Sequence, residues 1–152
     1  MTKENKASSL RLTIRNATAE DEPSVTALWQ ACNLGMSYND SSKDFHFARA
    51  KEGSDILVGL DEEQIIVGTV MVGHDGHRGW IYYVASQPEY RNQGIGRLMV
   101  EAAERWLKNK GVVKAMLLVR ETNTQVVDFY KHLGFETVPR VVMQKWLEED
   151  HD

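Results

Sequence analysis

Gly94 and Gly96 stand two positions apart in the stretch "YRNQGIGR", Tyr90 to Arg97, at the head of a segment with helical spacing. Glycine inside a helix costs about 1 kcal/mol relative to alanine, so two of them in a first turn point to something that comes close to the backbone. Gln93, Gly94, Ile95 and Gly96 leave the first N–H groups of that helix bare, and bare N–H groups at the positive end of a helix dipole bind an anion without any side chain. Arg91 and Arg97 add flanking positive charge, and Asn92 lies inside the same turn. The expected anion is a diphosphate. Two other phosphate-cradling patterns fail: a G-x-G-x-x-G fingerprint would need a small residue where Met99 stands, and the Gly-Lys-Ser or Gly-Lys-Thr of a P-loop is absent. Helix-on-strand packing could also use glycine, but two glycines with Arg91, all following a strand, favour the phosphate reading.

Other residues that could do chemistry fit quieter roles. His74, Asp75 and His77 flank Asp75-Gly76, a strong hairpin signal, and sequence brings no fourth ligand within reach, so turn chemistry is preferred over a metal site. Cys32 is the single cysteine; it excludes an internal disulfide, fits a reducing cytoplasm, and falls on an apolar helix face as a buried small hydrophobe. With 18 basic and 22 acidic residues the net charge is −4, and no block of like charge interrupts the chain, which argues against a nucleic acid partner. No apolar run of 18 residues occurs, so no membrane partner is expected.

The elements that must position the glycine turn follow from periodicity. "LRLTIRNAT" alternates as a strand, and Val25, Leu28, Trp29 and Cys32 mark a helix that starts near Thr18 to Asp21 with Pro23 in its first turns. "NDSSKDFHFARAKEG" suggests a shorter helix ended by Gly53. "DILVGL" and "IIVGTVMVG" read as a hairpin, and "WIYYVAS" as a third meandering strand. Ile95, Leu98, Met99, Ala102 and Trp106 carry a helix to Gly111. "KAMLLVR" reads as a buried strand, Asn123 to Leu133 as a helix stopped by Gly134, and "VVMQKW" as a last strand. The pattern is α/β, a mixed, mostly antiparallel sheet of about six or seven strands with helices on both faces. One domain is expected over 10–147, between a polar tail at 1–9 and an acidic tail at 148–152.

"VASQPEYRNQGIGRLM" resembles the R/Q-x-x-G-x-G/A segment of the GCN5-related N-acetyltransferase (GNAT) superfamily, met by Arg91, Gly94 and Gly96. "NTQVVDFYKHLGF" is similar to the second signature of that family, with Asn123, Tyr130 and Gly134-Phe135 in register. "LWQACNL", "YND" and "GHDGHRG" further resemble a bacterial branch named after YpeA. The resemblance implies acetyl-CoA as cofactor, its pyrophosphate on the turn from Arg91 to Gly96 and its pantetheine arm along Val84, Ala85 and Ser86. It also implies that a backbone N–H near Val84 polarises the thioester carbonyl, that Asn123 bonds the pantetheine arm, and that Tyr130 protonates the departing thiolate.

The attacking amine must lose a proton, because a lysine-like amine has a pKa of about 10.4. Relatives that acetylate protein N-termini often carry a glutamate where this chain has Leu118, so Glu121, Tyr82, Tyr83 and a water relay remain as candidates for the base. The expected activity is acetyl transfer to a primary amine, of a small molecule or a protein, by direct attack in a ternary complex. A non-catalytic acyl-CoA sensor or interaction module, favoured by Leu118 and opposed by Tyr130, is the alternative. Acceptor choice falls to about 33–53 and 73–79, and either a monomer or a homodimer fits.

Overall fold

An alternating first strand and apolar, β-branched runs give four antiparallel strands, and helical spacing gives the layers that cover them. The computed structural model describes residues 11–34 and 40–148. The chain forms two compact units, Met1–Leu117 and Leu118–Asp152. In the first, β1 (Thr13–Asn16) precedes α1 (Glu22–Ala31), α2 (Ser41–Ala48), β2 (Ser54–Leu60), β3 (Ile66–His74), β4 (Gly79–Ser86), α3 (Ile95–Asn109) and the two-residue β5 (Ala115–Met116). The sheet order is β1-β2-β3-β4-β5, antiparallel except where β4 meets β5 in parallel. The second unit holds α4 (Thr124–His132), which Asn123 caps by accepting from the Val126 N–H at 3.3 Å and after which Gly134 turns at φ 99°.

Helices cover both faces of the sheet. Neighbouring strand residues point to opposite faces, and in β3 Gly68 faces α3 while Thr69 accepts a hydrogen bond from the Trp29 indole of α1 at 3.0 Å. The α3 face depends on glycine: a Cβ at Gly68 would stand 2.7 Å from Ile95 and 3.1 Å from Met99, and one at Gly79 would stand 2.7 Å from Leu107. On the opposite face Val25, Leu28, Trp29, Phe45, Ile56 and Val58 form the core. Asp21 takes both guanidinium nitrogens of Arg15, at 2.7 and 3.1 Å, and this pairing holds its carboxyl below the usual range.

Some expectations are corrected. Five strands occur among the described residues rather than six or seven. "KAMLLVR" pairs only through Ala115 and Met116, and Leu118 is exposed, so the apolar run exceeds the paired strand. "VVMQKW" forms no strand; Val141 and Met143 are each 87% exposed and find no partner strand among the described residues. The second helix ends at Ala48, well before Gly53, and the chain reverses with Ala50 at φ 59°. The tails at 1–9 and 149–152 and the acceptor-loop residues 35–39 lie outside the described residues.

Asp55 is a buried carboxylate at the start of β2 with three donors: Asn16 Nδ2 at 2.6 Å, the Ala50 N–H at 2.9 Å and the Ile56 N–H at 2.7 Å. Removing the acceptor leaves these donors without their partner, at a cost of about 2–3 kcal/mol. Asp55→Ala is expected to lower Tm by roughly 5–10 °C in a thermal melt.

Candidate functional site

The turn before α3 has the geometry that its glycines suggest. After the 3-10 turn Pro88–Tyr90, Arg91 is extended, Asn92 is left-handed at φ 65° and Gly94 at φ 85°. α3 then begins at Ile95, and no side chain caps its first turn. The N–H groups of Ile95, Gly96 and Arg97 therefore head a 15-residue helix without a side-chain acceptor. A Cβ on Gly94 would meet nothing within 4 Å, so its glycine serves backbone conformation and open access, not a tight neighbour. Arg91 is exposed, while the Arg97 guanidinium pairs with Glu101 at 3.0 Å, one turn on, which draws off part of its charge. An uncapped helix start beneath open space fits a diphosphate.

β4 supplies the second feature. Its pairing with β5 stops at Trp80 opposite Met116, so from Ile81 to Ser86 no described strand covers that edge. On the other side its register to β3 slips: Met71 lies opposite Tyr82 but Thr69 opposite Ala85, and Tyr83 and Val84 together oppose Val70. This is a bulge, one residue too many on one strand, and it bends the strand and re-aims its backbone. Tyr83 takes φ 54°, a left-handed conformation that costs a non-glycine residue about 1–2 kcal/mol. Val84, Ala85 and Ser86 follow at that edge, where backbone N–H and C=O groups can pair with an extended amide chain, although the Ser86 carbonyl already accepts from the Cys32 thiol.

The remaining sequence candidates fall as follows. Cys32 is half-buried, and its thiol donates to the Ser86 carbonyl at 3.2 Å, so it packs where β4 ends. Asp75 receives the N–H groups of Arg78 at 2.7 Å and His77 at 2.9 Å, the hairpin chemistry foreseen, and those bonds bring its carboxyl down to about 2. Burial, with a smaller contribution from Asp75, pushes the Tyr82 phenol up, which makes a phenolate base there harder to form. Tyr83 donates its hydroxyl to Asp44 at 2.9 Å. In the second unit Glu121 is exposed. Tyr130 lies edge-on to Phe129 at 4.9 Å and to Phe135 at 5.5 Å, and burial raises its phenol to about 12.

Sequence reasoning missed the surroundings of Tyr83: Trp29, Thr69 and Asp44. Thr69 is the one hydroxyl in the apolar run "IIVGTVMVG", a signal that a buried polar group needed partners.

The strand order, the bulged fourth strand and the uncapped helix after it make an α/β fold built on a mixed sheet. Residues 17–135 match the acetyltransferase (GNAT) family, and the chain belongs to it. It is 34% identical over 139 residues to an acetyltransferase of Pectobacterium atrosepticum, covering 91% of this chain and 98% of that one. Among solved structures it resembles the aminoglycoside N-acetyltransferase AAC(6')-Iy in complex with a bisubstrate analogue, with TM-score 0.77, 16% identity and coverage of 90% and 98% of the two chains. It also resembles an aminoglycoside acetyltransferase from an uncultured soil metagenomic sample, with TM-score 0.71, 19% identity and coverage of 91% and 97%. No helix among the described residues is long and apolar enough to cross a membrane.

Proposed function

We propose that the chain transfers the acetyl group of acetyl-CoA to a primary amine by direct attack. The observation that carries this reading is the uncovered edge of β4 beyond Trp80, which leads into the uncapped first turn of α3. Acetyl-CoA has the complementary chemistry: a pantetheine arm with two amides for Val84, Ala85 and Ser86, and a pyrophosphate for the N–H groups from Gln93 to Arg97. A thiolate nucleophile at Cys32 is disfavoured, because its S–H is engaged by the Ser86 carbonyl.

In the transfer step the amine nitrogen bonds to the thioester carbon, the Val84 N–H receives the developing oxyanion, and the C–S bond breaks. The resemblance of "NTQVVDFYKHLGF" to the second family signature assigns Tyr130 a proton or hydrogen bond to the departing sulfur and Asn123 a bond to the pantetheine arm; Asn123 also caps α4. The amine proton leaves to Glu121 or a water relay; Tyr82, whose phenol burial pushes up, and Tyr83, whose hydroxyl already donates to Asp44, are disfavoured as the base. The acceptor is an amine, a class supported by the aminoglycoside enzymes that the fold resembles. "LWQACNL", "YND" and "GHDGHRG" support placement in the YpeA-like branch. The family match across 17–135 supports reading 10–147 as one acetyltransferase domain.

Thermal unfolding with acetyl-CoA, CoA and NAD in parallel tests the reading. A ligand at about 100 times its Kd adds about 2.7 kcal/mol, so acetyl-CoA and CoA are each expected to raise Tm by roughly 5–10 °C. NAD should leave it unchanged. No shift with either coenzyme would make the glycine turn purely structural and remove the enzyme reading.

A further inference from the structure

Tyr83 is held from three directions. The Trp29 ring of α1 stacks on it, centroids 3.9 Å apart and planes 16° from parallel. The Thr69 hydroxyl of β3 donates to its carbonyl at 3.1 Å while accepting from the Trp29 indole at 3.0 Å, so the one proton of that hydroxyl is committed to the carbonyl. Asp44 of α2 accepts its phenol proton at 2.9 Å. Thr69 is fully buried, so water has little access to its hydroxyl, while the Tyr83–Asp44 bond is partly buried.

The carbonyl of Tyr83 and the N–H of Val84 belong to one peptide plane and, in a trans peptide, point in opposite directions. Thr69 pulls the carbonyl toward β3 and so turns the Val84 N–H away from it. That leaves the φ of Tyr83 as the free rotation, and the ring, clamped by Trp29 and Asp44, opposes it. We propose that Asp44 is a positioning residue: by binding the Tyr83 hydroxyl it locks the bulge of β4 and thereby aims the Val84 N–H at the thioester carbonyl. The inference rests on the acetyl-CoA reading above. It makes the placement of α2 a determinant of the geometry of the cofactor strand.

Asp44→Ala, Asp44→Asn, Tyr83→Phe and the Asp44→Ala/Tyr83→Phe double variant test this with two readouts. In the ligand-free protein, hydrogen exchange of the peptide over 80–86 is expected to quicken in Asp44→Ala and Tyr83→Phe, with Tm of the whole chain little changed. Asp44→Asn keeps an acceptor oxygen and should restore most of the protection. By calorimetry, Asp44→Ala should weaken acetyl-CoA about tenfold, a size expected for one hydrogen bond to a charged group. It should weaken CoA less, since CoA has no acetyl carbonyl for the Val84 N–H. The double variant should be no worse than either single change, because both remove the same bond.

Unchanged exchange in Asp44→Ala overturns the proposal, as does equal weakening of both coenzymes. Asp44→Asn as defective as Asp44→Ala also overturns it, by assigning the effect to charge. A wild-type chain that binds neither coenzyme overturns the proposed function and the positioning role with it, whereas the exchange result still decides whether Asp44 holds the bulge.

Discussion

Tyr130→Phe is expected to lower kcat by about 100-fold while leaving acetyl-CoA binding nearly unchanged. Phenylalanine keeps the edge-on packing against Phe129 and Phe135 and loses only the hydroxyl. The expected size is at the low end of what a positioned general acid contributes, and the pKa bears on its protonation state. Burial raises the phenol to about 12, whereas a free thiol titrates at about 8.5. On the proposed mechanism, a phenol held this high favours Tyr130 as a hydrogen-bond donor to the departing sulfur over an early proton donor. Because the folded pKa lies above the ordinary value of about 10, the neutral form is fully present below pH 10 and is lost only as pH rises through about 12. An alkaline fall in the pH–rate profile below pH 10 should then persist unchanged in the variant and belong to another group. An unaltered kcat would remove Tyr130 from the mechanism.

Gly94→Arg should abolish coenzyme binding, read as loss of the acetyl-CoA-induced rise in Tm. A side chain at this position would project into open space, where the pyrophosphate is proposed to lie. The left-handed backbone, φ 85°, adds a strain of about 1–2 kcal/mol to any non-glycine residue. Gly94→Ala separates the two effects: it carries the strain with little bulk, so it should melt somewhat earlier and still bind acetyl-CoA. Tight binding by Gly94→Arg would refute the assignment of the turn.

The glycine turn was legible because its signal is local. Asp75-Gly76, the start and end of α3 and the cap at Asn123 were likewise carried by a few adjacent residues, and each stands where the pattern put it. What could not be read depends on pairing. "KAMLLVR" and "VVMQKW" have the apolar, β-branched composition of strands, but a strand exists only where a neighbour offers its N–H and C=O groups, and composition does not state how long that neighbour extends. The bulge in β4 was invisible for the same reason, since "WIYYVAS" carries no glycine to mark a left-handed residue and its strain is offset by residues 14, 39 and 54 positions away. Those three are Thr69, Asp44 and Trp29, which no window along the chain brings together.

The glycines beneath α3 have a mechanical consequence. The helix rests closely on the sheet at Met99 over Gly59 and, near its two ends, at Ile95 over Gly68 and Leu107 over Gly79. The two end points are twelve residues apart, about 18 Å at a rise of 1.5 Å per residue. A rod supported near both ends has its pitch fixed as well as its height. Gly94 lies one residue beyond the first support, so its lever arm is short, and rocking of the far end of α3 about Gly68 is strongly demagnified at the turn. The backbone N–H groups of the turn are thus held steady by the absence of side chains on the sheet below.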